Sequence, residues 1–137
     1  MKLLKFIFSI VILSSCNAQT NIDELTITYE AATRGSSINL VATSTKLNYT
    51  NFEIKKEIAV TSNFWNEITE ITNKITLSNM SYLIPPSDGR AVDSALHATL
   101  SIRFDNKTYK SQTFDHGNPP KELKPLIDKL FSILNKE

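Results

Sequence analysis

One cysteine, Cys16, cannot form a disulfide within the chain. The two histidines, His97 and His116, complete neither H-x-x-x-H nor H-E-x-x-H, so the spacings that usually announce zinc are missing. There is no G-x-S-x-G, and with three glycines in 137 residues no glycine-rich phosphate loop. No apolar run approaches the roughly 20 residues that a membrane-spanning helix needs. Fifteen lysines and arginines face 14 acidic residues, so no basic stripe marks a nucleic-acid partner. Internal repeats and low-complexity tracts are missing too. No cofactor is implied, and the composition leaves one place where the sequence speaks plainly, its start.

The first residues read MKLLKFIFSIVILSSC. Lys2 and Lys5 make a positive start, Phe6 to Leu13 is apolar apart from Ser9, and small Ser14 and Ser15 precede Cys16. That pattern describes a secretory signal peptide over residues 1–15. The order Leu13-Ser14-Ser15-Cys16 resembles the lipobox of bacterial lipoproteins. The resemblance implies cleavage before Cys16, a diacylglycerol on its thiol and an acyl group such as palmitate on its freed amine. Two or three acyl chains, at about 0.8 kcal/mol per buried CH₂, hold a protein firmly on a membrane. Asn17, where an aspartate commonly retains such proteins in the inner membrane, points to an outer-membrane anchor in the cell envelope if the cell is Gram-negative. An ordinary signal peptide cut near Ala18 is the alternative.

Removing the first 15 of 137 residues leaves 122, enough for one modest domain. Residues 16–22 make a lipidated polar tether, and 23–137 a single α+β domain that relies on its apolar core. From Leu25 the stretch LTITYEAA alternates apolar and polar residues with a strand period, and Thr33 to Ser36 forms a glycine turn. Ser37 to Ala42 and Lys46 to Phe52 continue the meander. At Thr61-Ser62 the period changes: Phe64, Ile68, Ile71 and Ile75 form one helical stripe, with Trp65 beside it and Thr61 or Ser62 as N-cap. A proline-containing loop, SNMSYLIPPSDGRAVDS, leads to the strand ALHATLSIRF, a turn at Asp105-Asn106-Lys107 and a partner strand through Tyr109, Ser111 and Thr113. Leu123, Leu126, Ile127, Leu130 and Leu134 give the last helix its apolar face. The expected order is β-β-β-α-β-β-α, a small antiparallel sheet with two helices packed on one face.

The most chemistry-like stretch is TFDHGNPPKELKPL, with Asp115 beside His116. A histidine base needs a nucleophile and an orienting acid within hydrogen-bond reach, yet adjacent side chains on a chain usually diverge. A structural reading uses every residue: Gly117 bends the chain, Asn118 caps the helix and Pro119 takes its first position. His97 falls on the polar face of its strand, and Trp65 is expected in the core. Arg34, Asp88 and Arg90 sit at turns, solvated or in a salt bridge between loops. Asp93-Ser94-Ala95 resembles the short O-glycosylation motif of some exported Gram-negative proteins, which makes Ser94 a candidate acceptor.

Over residues 25–134 the chain also resembles the emfourin-type small inhibitors of thermolysin-like metalloproteases. The correspondence runs through ITYEAATRGSS, then NFWNEITEI, then PPSDGRAVDS, a long strand pair and the P-x-x-L-x-x-L of Pro120 to Leu126. Arg34-Gly35 stands where the family has paired glycines, and the family's members are not typically lipoproteins. The resemblance implies a non-enzymatic domain whose partner is an exported protease or another envelope protein. The expected contact loops carry Arg34, Gly35, Asp88, Arg90, Asp115 and His116. The competing expectations are a small envelope hydrolase using His116 with Asp115 or Asp88, and a purely structural lipoprotein.

Overall fold

The computed structural model describes residues 25–135; the expected signal peptide, Cys16 and the expected tether lie outside them. Seven strands form one antiparallel sheet: β1 (Thr26–Thr33), β2 (Ser36–Ala42), β3 (Lys46–Asn51), β4 (Lys55–Ala59), β5 (His97–Phe104), β6 (Lys107–Lys110) and β7 (Phe114–Asp115). They lie in the order β4-β3-β2-β1-β5-β6, with β7 also paired to β5. Helix α1 (Ser62–Asn73) follows β4, and α2 (Lys124–Ser132) follows β7. The expected α+β class and antiparallel sheet with two helices hold. The order gains two short strands, β4 and β7.

Period-two alternation sets the register. Tyr29 faces Leu40 on one side and Leu100 on the other, and Leu40 faces Tyr49. All four are buried on the face that also receives Phe64 and Ile68 of α1 and Leu126, Ile127 and Leu130 of α2. A one-residue slip would turn this whole set to solvent, so burial pins the pairing. The opposite face carries Thr28, Glu30, Asn39, Thr99 and Ser101, none of them buried. Asp105 and Asn106 both take positive φ, 50° and 55°, which closes the β5–β6 hairpin with a tight two-residue turn.

Both sheet edges are guarded. On β4, Lys55 and Glu57 are exposed and Lys56 points toward the helix side, opposite Tyr49, which discourages pairing with another chain. On the other edge, three residues (111–113) stand opposite two (99–100) between the pairs Ser101↔Lys110 and Ala98↔Phe114. This bulge separates β6 from β7. Ser111 mends the ladder there: its hydroxyl accepts from the Leu100 N–H at 3.0 Å, and its own N–H donates to the Leu100 carbonyl at 2.9 Å. The short 3-10 helix Leu77–Tyr82 packs beside β6, and nearby the Gln112 side chain donates to the Ser81 carbonyl at 3.0 Å.

The helix ends correct one expectation and refine another. Thr61 caps α1, accepting from the Phe64 N–H at 3.3 Å. Asn118 does not cap α2, which starts six residues later with Leu123 at the cap position and Pro125 in the first turn. The Asn118 N–H donates to the Asp115 carbonyl and its side chain to Ser87 Oγ, so it closes a turn. Pro119 and Pro120 keep the preceding residues extended, and the helix cannot begin until the carbonyl of Pro120 accepts from Leu123 and Lys124.

Candidate functional site

β7, paired to β5 through His97↔Asp115 and Ala98↔Phe114, carries Asp115, the hub of one end of the molecule. Its carboxylate is 5 % exposed. It accepts from Ser87 Oγ at 2.5 Å, the Gly89 N–H at 2.7 Å, the Arg90 N–H at 3.0 Å and Arg90 Nη1 at 3.1 Å. These donors, led by the Ser87 hydroxyl, hold the carboxyl well below the usual carboxylate range, against the opposing effect of burial. Arg90 is held in turn: Nη1 also donates to the Ser87 carbonyl at 2.6 Å, and Nη2 pairs with Asp88 at 2.7 Å. Gly89 permits the close approach, since a Cβ there would sit 2.8 Å from Ser94 Oγ and 3.1 Å from the Asp115 carboxylate. The loop of residues 83–94 is therefore fastened to the sheet by one buried anion.

The fastened loop displays apolar side chains. Ile84 is 83 % exposed and Val92 77 %, with Tyr82 just before them at 76 %. Ile84 and Tyr82 border a shallow depression with Pro86 and Pro120. The loop whose backbone N–H groups Asp115 holds thus presents large apolar side chains to solvent.

His116 turns away from its neighbour. Its Nδ1 lies 2.7 Å from the Tyr29 hydroxyl, and its ring sits among Tyr29 and Phe131. Burial lowers the imidazole's affinity for a proton and raises the phenol's, so near neutral pH both are uncharged. The phenol then donates to Nδ1, which leaves the proton of the neutral ring on Nε2. His116 lines a depression of about 390 Å³ with Tyr49, Ile54, Lys56 and Phe131. Neither carboxylate proposed as its partner reaches it: Asp115 holds the loop and Asp88 holds Arg90. Among the described residues no group of three His, Cys, Asp or Glu side chains could hold a metal ion.

The strand pairings gather the remaining candidates at the same end. Ala32 faces His97 and His97 faces Asp115, so the β1–β2 turn with Arg34 and Gly35 lies beside the hub. Gly35 takes φ 83° there, as the turn requires. Ile38 faces Asn51, which brings the β3–β4 turn and the 80 % exposed Phe52 to that end. His97 is exposed, as expected. Ser94 is exposed too, but its hydroxyl donates to the Gly89 carbonyl at 2.8 Å, a bond that a sugar on Ser94 Oγ would break. Trp65 is only partly buried and lines a cavity at the other end.

Sequence reasoning missed Ser87, Tyr29 as the partner of His116, and the apolar display of Tyr82, Ile84 and Val92. The last had a signal: YLI stands before a proline pair and fits no helical or strand stripe. The first two join residues 28 and 87 apart in the chain, which no local pattern records.

No model of a known protein family matches the chain, and no curated protein matches it.

Proposed function

We propose that the protein is an exported, lipid-anchored, non-enzymatic binding domain of the cell envelope. It grips a protein partner with the end of the sheet that carries residues 83–94, Arg34-Gly35 and His116. The observation that carries this reading is the fastening of an apolar loop by the buried Asp115 carboxylate. A loop already ordered in the free protein loses little entropy on association, and its exposed Ile84 and Val92 supply desolvatable area. The emfourin-type resemblance makes an exported metalloprotease the first partner to test. Anchorage through Cys16, in the outer membrane, keeps the domain near such enzymes.

The test is a crosslinking pull-down from membranes of the native host, followed by assay of the recovered protease with purified domain. We expect Ile84→Asp, Val92→Asp and Arg34→Ala, all at exposed positions, to lose the captured protein while melting within a few degrees of wild type. Capture that is indifferent to all of these substitutions overturns the reading.

A further inference from the structure

We propose that the apolar cavity at the opposite end of the domain holds one acyl chain of the lipid on Cys16. The proposal rests on the anchor reading above and adds to it a seat for the anchor. The cavity measures about 470 Å³ and is walled chiefly by Leu25, Trp65, Thr69, Ile75, Leu77 and Phe104. That volume falls in the range of small-molecule sites, about 300–1,000 Å³.

The chemistry of the lining restricts the occupant. No side chain of the lining carries a charge. The hydroxyls of Thr69 and Thr72 already donate to the carbonyls of Trp65 and Ile68, at 2.9 and 2.8 Å. A phosphate, a carboxylate or a sugar would lose its hydration there with little in exchange. A saturated hydrocarbon chain loses nothing polar.

The route of the chain supplies that hydrocarbon. Leu25 is both a wall of the cavity and the first described residue, nine positions after Cys16. Nine residues reach at most about 30 Å when extended. An acyl group on Cys16 is thereby presented to the cavity at an effective concentration on the order of millimolar. The tether sequence NAQTNIDE has only Ile22 as a large apolar residue of its own. A chain that is buried in either a bilayer or the cavity changes places with little exposure to water. The cavity thus shields one chain of the anchor whenever the domain leaves the surface.

Trp65 is the only tryptophan of the protein, so its emission reports on this cavity alone. The experiment uses the chain beginning at Cys16, which keeps the whole described fold and has a single thiol. That thiol is alkylated with a maleimide bearing a bromine-labelled long acyl chain, or a bromine-labelled ethyl group as control. Bromine quenches indole emission on contact. We expect the long chain to remove about half of the Trp65 emission or more, independent of protein concentration, as a tethered ligand should. Thr69→Phe, which fills the cavity, should abolish the loss with an unchanged circular dichroism spectrum. Should that variant misfold, the long-chain and ethyl derivatives still decide. Equal emission from those two derivatives overturns the proposal. So does quenching by free bromine-labelled fatty acid without quenching by the tethered chain, which would mark a site for loose lipid. The mass of the native protein separates the two readings: an unmodified Cys16 sinks the anchor and this proposal with it. A lipidated Cys16 with no quenching sinks only the seat.

Discussion

Asp115 owes its ionised state to the loop it holds, and the loop owes its shape to Asp115. Its carboxyl is depressed below the ordinary 3.8 by donors that exist only in the fold. The unfolded chain therefore takes up a proton first as pH falls, and the stability from this group, full above about 4, drains away in more acid solution. Asp115→Asn should remove that acid dependence and release the loop at neutral pH, because an amide presents only one acceptor oxygen. Arg90 then becomes available to trypsin, and we expect cleavage after it to speed up on the order of tenfold, read by mass spectrometry. His116 behaves with the opposite ion and the same slope. Burial lowers it from 6.5, so the unfolded chain binds the proton first and stability declines as pH falls below about 6.5. Among the described residues the titratable groups around it are the Tyr29 hydroxyl and, in the depression, Tyr49 and Lys56. Melting temperature measured from pH 8 to 5 should fall for wild type and flatten for His116→Phe. Tyr29→Phe leaves Nδ1 without its donor and should cost about 1–2 kcal/mol at neutral pH.

At the scale of elements, α1 depends on packing more than on propensity. Its sequence, SNFWNEITEITN, is rich in Thr and Asn, which favour other conformations, so its buried stripe must hold it. Ile68→Ala should cost about 2–5 kcal/mol in urea unfolding, and Thr61→Ala, which removes the cap, about 1 kcal/mol. This helix was legible because Phe64, Ile68, Ile71 and Ile75 repeat at its period, although Thr72 is buried more fully than Ile71. β1 and β5 were legible for the same reason, being long and half-buried. β4 was not, because an edge strand built as KKEIA hides its alternation of exposed and half-buried residues under charge. β7 was not, because two residues have no period. The start of α2 was misplaced because Asn118 carries a capping signal that its bond to Ser87 overrides. The candidate residues Arg34, Gly35, Asp88 and Arg90 do lie at turns, since turn residues mark turns, whereas Asp115 lies in β7. Their task stayed hidden: that Asp115 binds the loop and leaves His116 to Tyr29 is decided by contacts between distant segments.

On the scale of the whole molecule, the sheet has two unlike ends. β1 starts just after Leu25, and Leu25, Ser44 and Phe104 share that end with the cavity, while every candidate contact loop hangs from the other. A strand of eight residues at about 3.3 Å each separates them by roughly 25 Å. On the proposed anchorage through Cys16, one of these ends would lie next to the bilayer and the other would face outward. The chain also comes back to the loop-bearing end, since Leu134 and Asn135 line the depression beside His116. Photo-crosslinking residues placed singly at Ile84, Val92 and Arg34, and at Ser44 and Phe104, test this polarity in native membranes. The first three should yield protein adducts and few lipid adducts; the last two should yield lipid adducts and few protein adducts. Ile84 and Val92 are mostly exposed, so replacing them should leave stability within about 0.5 kcal/mol and keep the comparison clean. Lipid adducts at Ile84 with protein adducts at Phe104 would mean that the domain stands the other way up, with its fastened loop against the membrane.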